Sequence, residues 1–474
     1  LKFTMSEFAV TDNCATANVF NSTLHQEGMI STSHHKVGDI VFFEKPLICL
    51  QSVPNKTEAL VCGNCFKFLG SIELQLDYLS KRESRLRECA MEKVINKDRM
   101  FLSYVFCCEN RCGELYCSAS CQKIHFQNGH TLLCTGLIPE EKAEEHALIK
   151  FKTHAITTNE IFLMVADVFA RIIMNIEKYK SSSSFQFSEN AVTLALQPYE
   201  RYVRHLWWDV AVPDDKQDPM ALAVTLRSLV QESWSLLCVA LNLHDRGLAE
   251  VLSDEYMART IGMFEQNNVG VRVASPVGEY VMILQPGDPD IPRVLAATEQ
   301  ILATLEDNTC WEEPDSENSD TQEEDQGETG LKSSEEERKE KEFESSDPGW
   351  NALRAVVSRE GVDTLYAPLD GTAFYTYICK INHSCEPNVL VKYGWGDIDA
   401  DSVTRECGQG LRAELTAVRD IHPGEELLQS YIDQSQPLIN RKYALRDYGF
   451  ECTCIKCVEE EAALDPSSET RPIF

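Results

Sequence analysis

Basic residues are scarce in this chain of 474 residues. Lys and Arg number 44 against 75 Asp and Glu, a formal net charge of −31 at pH 7. Gripping a phosphate backbone needs clustered Lys and Arg, so no direct nucleic-acid binding is expected. No stretch of 18 residues is both apolar and free of charge, so no membrane-spanning helix is expected, nor any membrane partner. No internal repeat is evident. The chain starts at Leu1 rather than Met, which leaves open a targeting segment ahead of it.

The composition that remains is that of a globular protein. Apolar residues make up 43%, and the length suits two or three domains. An acidic chain suits basic partners, including Lys-rich tails. There are 19 cysteines, grouped as CxxC, CxxxC and CxCxxC with a histidine nearby. Those spacings point to metal rather than to a secreted disulfide framework, and so to a reducing compartment, the nucleus or the cytoplasm.

Residues 24–50 read as strand material, with a turn at Val37-Gly38-Asp39 and a strand from Ile40 that stops at Pro46. Ile161, Phe162, Val165, Val168, Phe169, Ile172 and Ile173 recur at helical spacing, predicting a helix over 158–180. A Ser-rich break follows at 181–190, then a second helical stretch from about Met220 to Leu243. Residues 306–347 hold 18 acids against four bases and few apolar side chains. Such a tract buries too little to offset its ordering entropy, so it is expected to be disordered. From Thr364 onward, short apolar runs alternate with turns.

Between residues 62 and 134 cysteine is dense and core-forming residues are few, so metal must organise the segment. The expected ligands are Cys62-x2-Cys65, Cys108-x3-Cys112, Cys117-x3-Cys121 and His130-x3-Cys134. Eight thiolate and imidazole donors suit two tetrahedral zinc ions. The doublet Cys107-Cys108 leaves the register of the second pair open by one residue. Tyr116-Cys117-Ser118-Ala119-Ser120-Cys121-Gln122 and His130-Thr131-Leu132-Leu133-Cys134 make this segment resemble a MYND finger. The resemblance implies cross-bracing: Cys62, Cys65, Cys117 and Cys121 on one zinc, Cys108, Cys112, His130 and Cys134 on the other. It also implies proline-containing peptides as partners. The spacer between the first two pairs is longer than the family's and carries Cys89. Phe126 stands where the family has Trp.

A second constellation lies at 371–457. Gly371-Thr372-Ala373-Phe374 leads to Asn382-His383-Ser384-Cys385-Glu386-Pro387-Asn388. Then come Gly424-Glu425-Glu426-Leu427, Ser430-Tyr431 and Tyr448-Gly449-Phe450-Glu451-Cys452-x-Cys454-x2-Cys457. This order resembles the catalytic half of SET-domain protein-lysine methyltransferases. With the finger, the whole is similar to the SET-and-MYND family, above all its short, plant trithorax-related members. The chain ends 17 residues after Cys457, so the long members' C-terminal helical-repeat domain is not expected.

The resemblance implies an α+β fold with a β-rich, split SET domain. Its parts are N-terminal SET (1–50), finger (51–136), helical insert (137–263), central SET (264–305), acidic insertion (306–347), catalytic SET (348–436) and post-SET segment with tail (437–474). It further implies S-adenosylmethionine as cofactor, contacted by Gly28, Asn267, Asn382, His383, Tyr431 and Phe450. Tyr431 is the implied catalytic tyrosine, and Tyr448 lines the lysine channel. Cys385, Cys452, Cys454 and Cys457 would hold a third zinc. The expected activity is protein-lysine N-methylation by a monomer acting on a histone tail or another basic protein. The alternative is a non-catalytic scaffold that recruits chromatin partners through its finger.

One motif departs from the pattern. The family's N-terminal cofactor loop reads Gly-Lys/Arg-Gly, whereas this chain reads Gln26-Glu27-Gly28. Glu27 stands where a cation would meet the cofactor's carboxylate. Replacing Gln26 by Gly and Glu27 by Arg is therefore expected to tighten cofactor binding.

Overall fold

The computed structural model describes residues 16–22, 26–81, 101–181, 188–213, 218–309, 345–395 and 410–463. Helices and small sheets are both present, so the α+β expectation is borne out. In the N-terminal part, β1 (Ala17–Ser22) and β2 (Gln26–Ser31) form an antiparallel hairpin. They are followed by β3 (Ile40–Glu44) and β4 (Ile48–Gln51). The strand after the Gly38 turn ends at Glu44, two residues before Pro46.

The cysteine-rich segment carries four short strands: β5 (Gly70–Ser71), β6 (Phe101–Ser103), β7 (Phe106–Cys107) and β8 (Leu115–Tyr116). Later in the chain come β9 (Val269–Val273), β10 (Leu369–Phe374), β11 (Asn382–His383), β12 (Val389–Gly394), β13 (Arg412–Ala417) and β14 (Leu428–Gln429). Two three-stranded antiparallel sheets, ordered β12-β13-β3 and β4-β10-β9, join the chain's N-terminal part to its C-terminal part. A further pair, β11 with β14, runs in parallel. Val41, Phe42, Val271, Ala373, Leu415 and Ile381 are buried in the core that these strands share.

The helical stretch packs as its periodicity demands. The helix Ile161–Ser181 buries Phe162, Val165, Val168, Phe169, Ile172 and Ile173. Each fully buried large apolar side chain contributes about 1.5–3 kcal/mol. The helix begins at Ile161 rather than 158 because Asn159 Oδ1 accepts the Ile161 N–H at 3.0 Å. The Ser-rich break is shorter than expected: this helix runs to Ser181 and the next begins at Ser188, with 182–187 outside the described residues. The second predicted helix is Pro219–Ala240, opened by Asp218, whose carboxylate accepts the N–H groups of Met220 and Ala221. The helix Asp254–Asn267 runs through position 263 and delivers its end to β9.

The acidic tract is shorter than its composition implied. Residues 306–309 complete the helix Ile291–Thr309. Asp347 caps the helix Pro348–Glu360, accepting the N–H of Gly349 at 2.9 Å and of Trp350 at 3.2 Å. The remainder, 310–344, lies outside the described residues. The long spacer of the finger also holds structure that its cysteines did not announce. The helix Ile72–Lys81 packs with Ile291–Thr309, around Ile72, Leu76, Val294, Ile301 and Tyr366.

Candidate active site and metal centres

Twelve side chains converge in three groups, each with its donor atoms within 4.8 Å of one another: Cys62, Cys65, Cys117 and Cys121; Cys108, Cys112, His130 and Cys134; Cys385, Cys452, Cys454 and Cys457. Sulfurs bound at 2.3 Å around a tetrahedral ion lie about 3.8 Å apart. Here Cys65 Sγ is 3.5 Å from Cys117 Sγ, and Cys108 Sγ is 3.8 Å from Cys134 Sγ. Cys385 Sγ is 4.0 Å from Cys452 Sγ and 3.5 Å from Cys457 Sγ. The first and third groups each offer four thiolates, and the second offers three thiolates and an imidazole. Such donor sets fit a borderline-soft ion. The groups interleave along the chain as the finger resemblance implied. Cys108 belongs to the second group, while its neighbour Cys107 is exposed outside it.

Local chemistry explains the convergence. Ser118 caps the helix Ala119–His125 through the Cys121 N–H (3.0 Å), which turns Cys117 and Cys121 to one side. Gly129 breaks the following turn with φ +124° and packs on Ala170, so His130 folds inward. Burial lowers His130 to about 4, keeping its imidazole neutral and able to donate a lone pair. Its Nε2 lies 3.4 Å from Cys112 Sγ.

The third group adjoins the parallel pair β11–β14. His383, the last residue of β11, is buried and uses both ring nitrogens. Nδ1 accepts the Tyr431 N–H at 3.0 Å, and Nε2 lies 3.3 Å from Cys385 Sγ. Tyr431 sits 5.4 Å from the His383 ring and 5.1 Å from Tyr448, and it meets Phe450 edge-on at 6.3 Å. Its hydroxyl donates to Ile381 O at 2.8 Å, and burial pushes its phenol up, so it stays protonated. Tyr448, half exposed, donates its hydroxyl to Tyr431 O at 3.3 Å.

Asn382 reaches the opposite way. Its Nδ2 donates to Glu27 O and to Glu426 Oε1, both at 2.9 Å. That approach requires Gly28, since a Cβ there would lie 2.8 Å from Asn382 Nδ2 and from Glu426 Oε1. Asn267 stands apart. Its amide turns back to Met263 O (2.8 Å) and makes no hydrogen bond to Asn382, His383 or Tyr431. Its helix reaches the same region through Phe264, which packs on Phe374 at 5.6 Å.

Four contributors escaped the motif reading. Asn388, fully buried, accepts the Leu428 N–H (2.7 Å) and donates to Glu426 O (2.7 Å), fastening Gly424–Leu427 beside β11. Glu44 accepts the N–H groups of Thr376 (2.6 Å), Tyr377 (2.9 Å) and Ile378 (3.0 Å), and so holds the turn that leads to Asn382. Burial raises Glu44 to about 7 against the pull of those donors. Arg441, buried, lies 3.7 Å from Cys457 Sγ and donates to Glu460 at 2.8 Å, bringing positive charge to the third group. Lys380 pairs with Glu27, so the acid in the altered loop already has a cation beside it. The Asn-x5-Asn spacing from Asn382 to Asn388 and the acid before Lys45-Pro46 were visible in the sequence. The ion pair between Glu27 and Lys380 had no local signal.

The geometry agrees with what the chain is similar to. The sequence model of the SET domain matches residues 26–432, a range that spans the cysteine-rich segment and the helices that follow it. The histone-lysine N-methyltransferase ATXR2 of Arabidopsis thaliana is 27% identical over 507 residues, covering 95% of this chain and 92% of that protein. The N-lysine methyltransferases SMYD2-B of Danio rerio and SMYD2 of Homo sapiens are 41% and 38% identical over 88 and 92 residues. These matches cover 18% and 19% of this chain, and 17% and 18% of the relatives. The expected likeness to SET-and-MYND proteins is borne out, and with most of its length matched the chain belongs to the SET domain family.

Proposed function

We propose that this protein is an S-adenosylmethionine-dependent protein-lysine N-methyltransferase with three zinc ions. The observation that carries the proposal is the pair of His383, on β11, and Tyr431, in the bend just after β14, walled by Phe450 and Tyr448 and backed by the Cys385 group. The relatives named above are lysine methyltransferases by name, one of them acting on histones. The seven-part division of the chain, from N-terminal SET to post-SET, belongs to the same proposal.

The donor set fits the cofactor. Asn amides, a cation and an acid suit its amino-acid end, and aromatic rings suit its base and sulfonium. Gly28, Asn267, Asn382, His383, Tyr431 and Phe450 are the proposed contacts. When bound, the cofactor supplies an electrophilic methyl group on a cationic sulfur. The protein's part is to present a neutral amine in line with it. An aromatic channel formed by Tyr431, Tyr448 and Phe450 strips water from the lysine and favours its uncharged form. Tyr431, held as a neutral phenol, orients the amine through its hydroxyl. His383 fixes the Tyr431 backbone, and the zinc at Cys385 fixes His383.

The substrate is a lysine on a basic protein segment, in keeping with the chain's charge, and histone tails come first for assay. The finger offers a surface for proline-containing peptides, and nucleus and cytoplasm both suit reduced cysteines. The test is transfer of a radiolabelled methyl group to histones and to a basic protein extract. No transfer to any lysine, by protein carrying its metal, overturns the reading.

A further inference from the structure

Beside the proposed cofactor contacts lies an ion pair made by the acid of the altered loop. Lys380 Nζ pairs with Glu27 Oε2. The lysine comes from the turn Ile378–Lys380, two residues before Asn382. The acid comes from β2, one residue before Gly28. Asn382 Nδ2, bonded to Glu27 O at 2.9 Å, ties the two segments together.

Lys380 is held from several sides. Its side chain is only 10% exposed, and its ammonium stands 5.3 Å from the Tyr202 ring centroid. Tyr202 packs edge-on against Phe374 at 4.7 Å, and Phe374 touches Phe264 in the helix that ends at Asn267. Glu44 clamps the backbone of the same turn through the N–H groups of Thr376, Tyr377 and Ile378. A lysine held in this way keeps its charge in one place at little further entropic cost. Glu27 is half exposed.

Resting on the methyltransferase reading above, we infer that Lys380 replaces the missing loop cation and receives the α-carboxylate of the cofactor, with Glu27 receiving its α-ammonium. The amino-acid end of the ligand is a zwitterion, and the pair offers its complement: one fixed cation, one fixed anion, in contact. Neither charge need enter the site alone, because each keeps an opposite partner before and after binding. The displaced Lys/Arg of the family loop is thus replaced from another segment, and the acid at 27 is part of the device. The sequence-based expectation for the Gln26→Gly, Glu27→Arg chain reverses. An arginine at 27 would face Lys380 and weaken binding.

The experiment is titration calorimetry on the full chain with S-adenosylhomocysteine and with 5′-methylthioadenosine, which lacks the amino-acid end. Lys380→Met is expected to weaken S-adenosylhomocysteine binding tenfold or more, and to leave methylthioadenosine within twofold. Glu27→Gln should lower the first affinity severalfold and again spare the second. Lys380→Arg should keep most of the wild-type affinity. Equal losses for both ligands in Lys380→Met would mean that the lysine merely supports the fold, and would overturn the inference. So would an unchanged S-adenosylhomocysteine affinity. No binding of either ligand by wild-type protein would bring down the methyltransferase reading together with this one.

Discussion

The backbone N–H of Tyr431 donates to Nδ1 of His383 at 3.0 Å, while the other nitrogen of that ring lies 3.3 Å from Cys385 Sγ. A single imidazole therefore stands between the proposed catalytic tyrosine and a metal-ligand cluster. Loss of a metal bound there would free Cys385, then the ring, then the bend after β14 that carries Tyr431. Under the proposed mechanism this ties Cys385, Cys452, Cys454 and Cys457 to the reaction geometry without their touching substrate.

Tyr431→Phe separates chemistry from architecture. The change removes one hydroxyl, whose visible bond is to Ile381 O at 2.8 Å, and leaves the ring contacts with His383, Tyr448 and Phe450 in place. The lost hydrogen bond costs about 1 kcal/mol of stability. Methyl transfer should fall about a hundredfold, because the amine loses its orienting group. Radiolabel transfer and thermal melting on the same preparation check both halves. Turnover at the wild-type rate would remove Tyr431 from the catalytic role.

Metal content is countable. Elemental analysis of the full chain should find three zinc ions. Cys107→Ser should keep three, since Cys107 is exposed and outside the clusters, whereas Cys108→Ser should lose one. Cys385→Ser should also lose one, and with it most methyl transfer. Should Cys107→Ser lose the ion and Cys108→Ser retain it, the register assigned to the second cluster is wrong.

Asn388 supports the site at a distance. Asn388→Ala removes, at a fully buried position, the acceptor of the Leu428 N–H and the donor to the Glu426 carbonyl. The expected loss is about 2–4 kcal/mol in denaturant unfolding, with activity falling alongside. Asn388→Asp should do little better, since it sets a carboxylate against Glu426 O and near Glu425. A loss below about 1 kcal/mol in Asn388→Ala would show that the clamp is dispensable.

Much of this architecture was legible because its signals are local. Cys117-x3-Cys121 and His130-x3-Cys134 carry their own geometry, and each short spacer turns two donors toward one ion. The helix Ile161–Ser181 could be read from one apolar stripe. What escaped depends on partners far along the chain. Glu44 in its strand looks like an ordinary edge residue until residues 376–378 close over it. Glu27 looked like an obstacle to an anionic ligand because Lys380 lies more than 350 positions away. Composition alone overstates the acidic tract at both ends, because residues 306–309 continue a helix and Asp347 is a helix cap.

Glu44 leads to a prediction about pH. Three backbone N–H groups favour its carboxylate, but it is buried with no basic side chain bonded to it, and desolvation outweighs them. Its value rises from the ordinary 4.5 to about 7. A group that holds its proton more tightly in the folded chain stabilises that fold at low pH. Its contribution is complete below about 4.5, shrinks as pH rises through about 7, and is flat beyond. Glu44→Gln keeps the shape and one acceptor oxygen but cannot ionise. Between pH 6 and 8, wild-type stability should therefore fall by about 1 kcal/mol relative to Glu44→Gln. That window avoids the acid range in which cysteine ligands release their metal. Denaturant unfolding of both proteins at matched pH measures the difference. Parallel curves would mean that Glu44 does not titrate in this range. A wild type that gains on the variant with rising pH would mean that the three N–H groups win and the carboxylate is the form held.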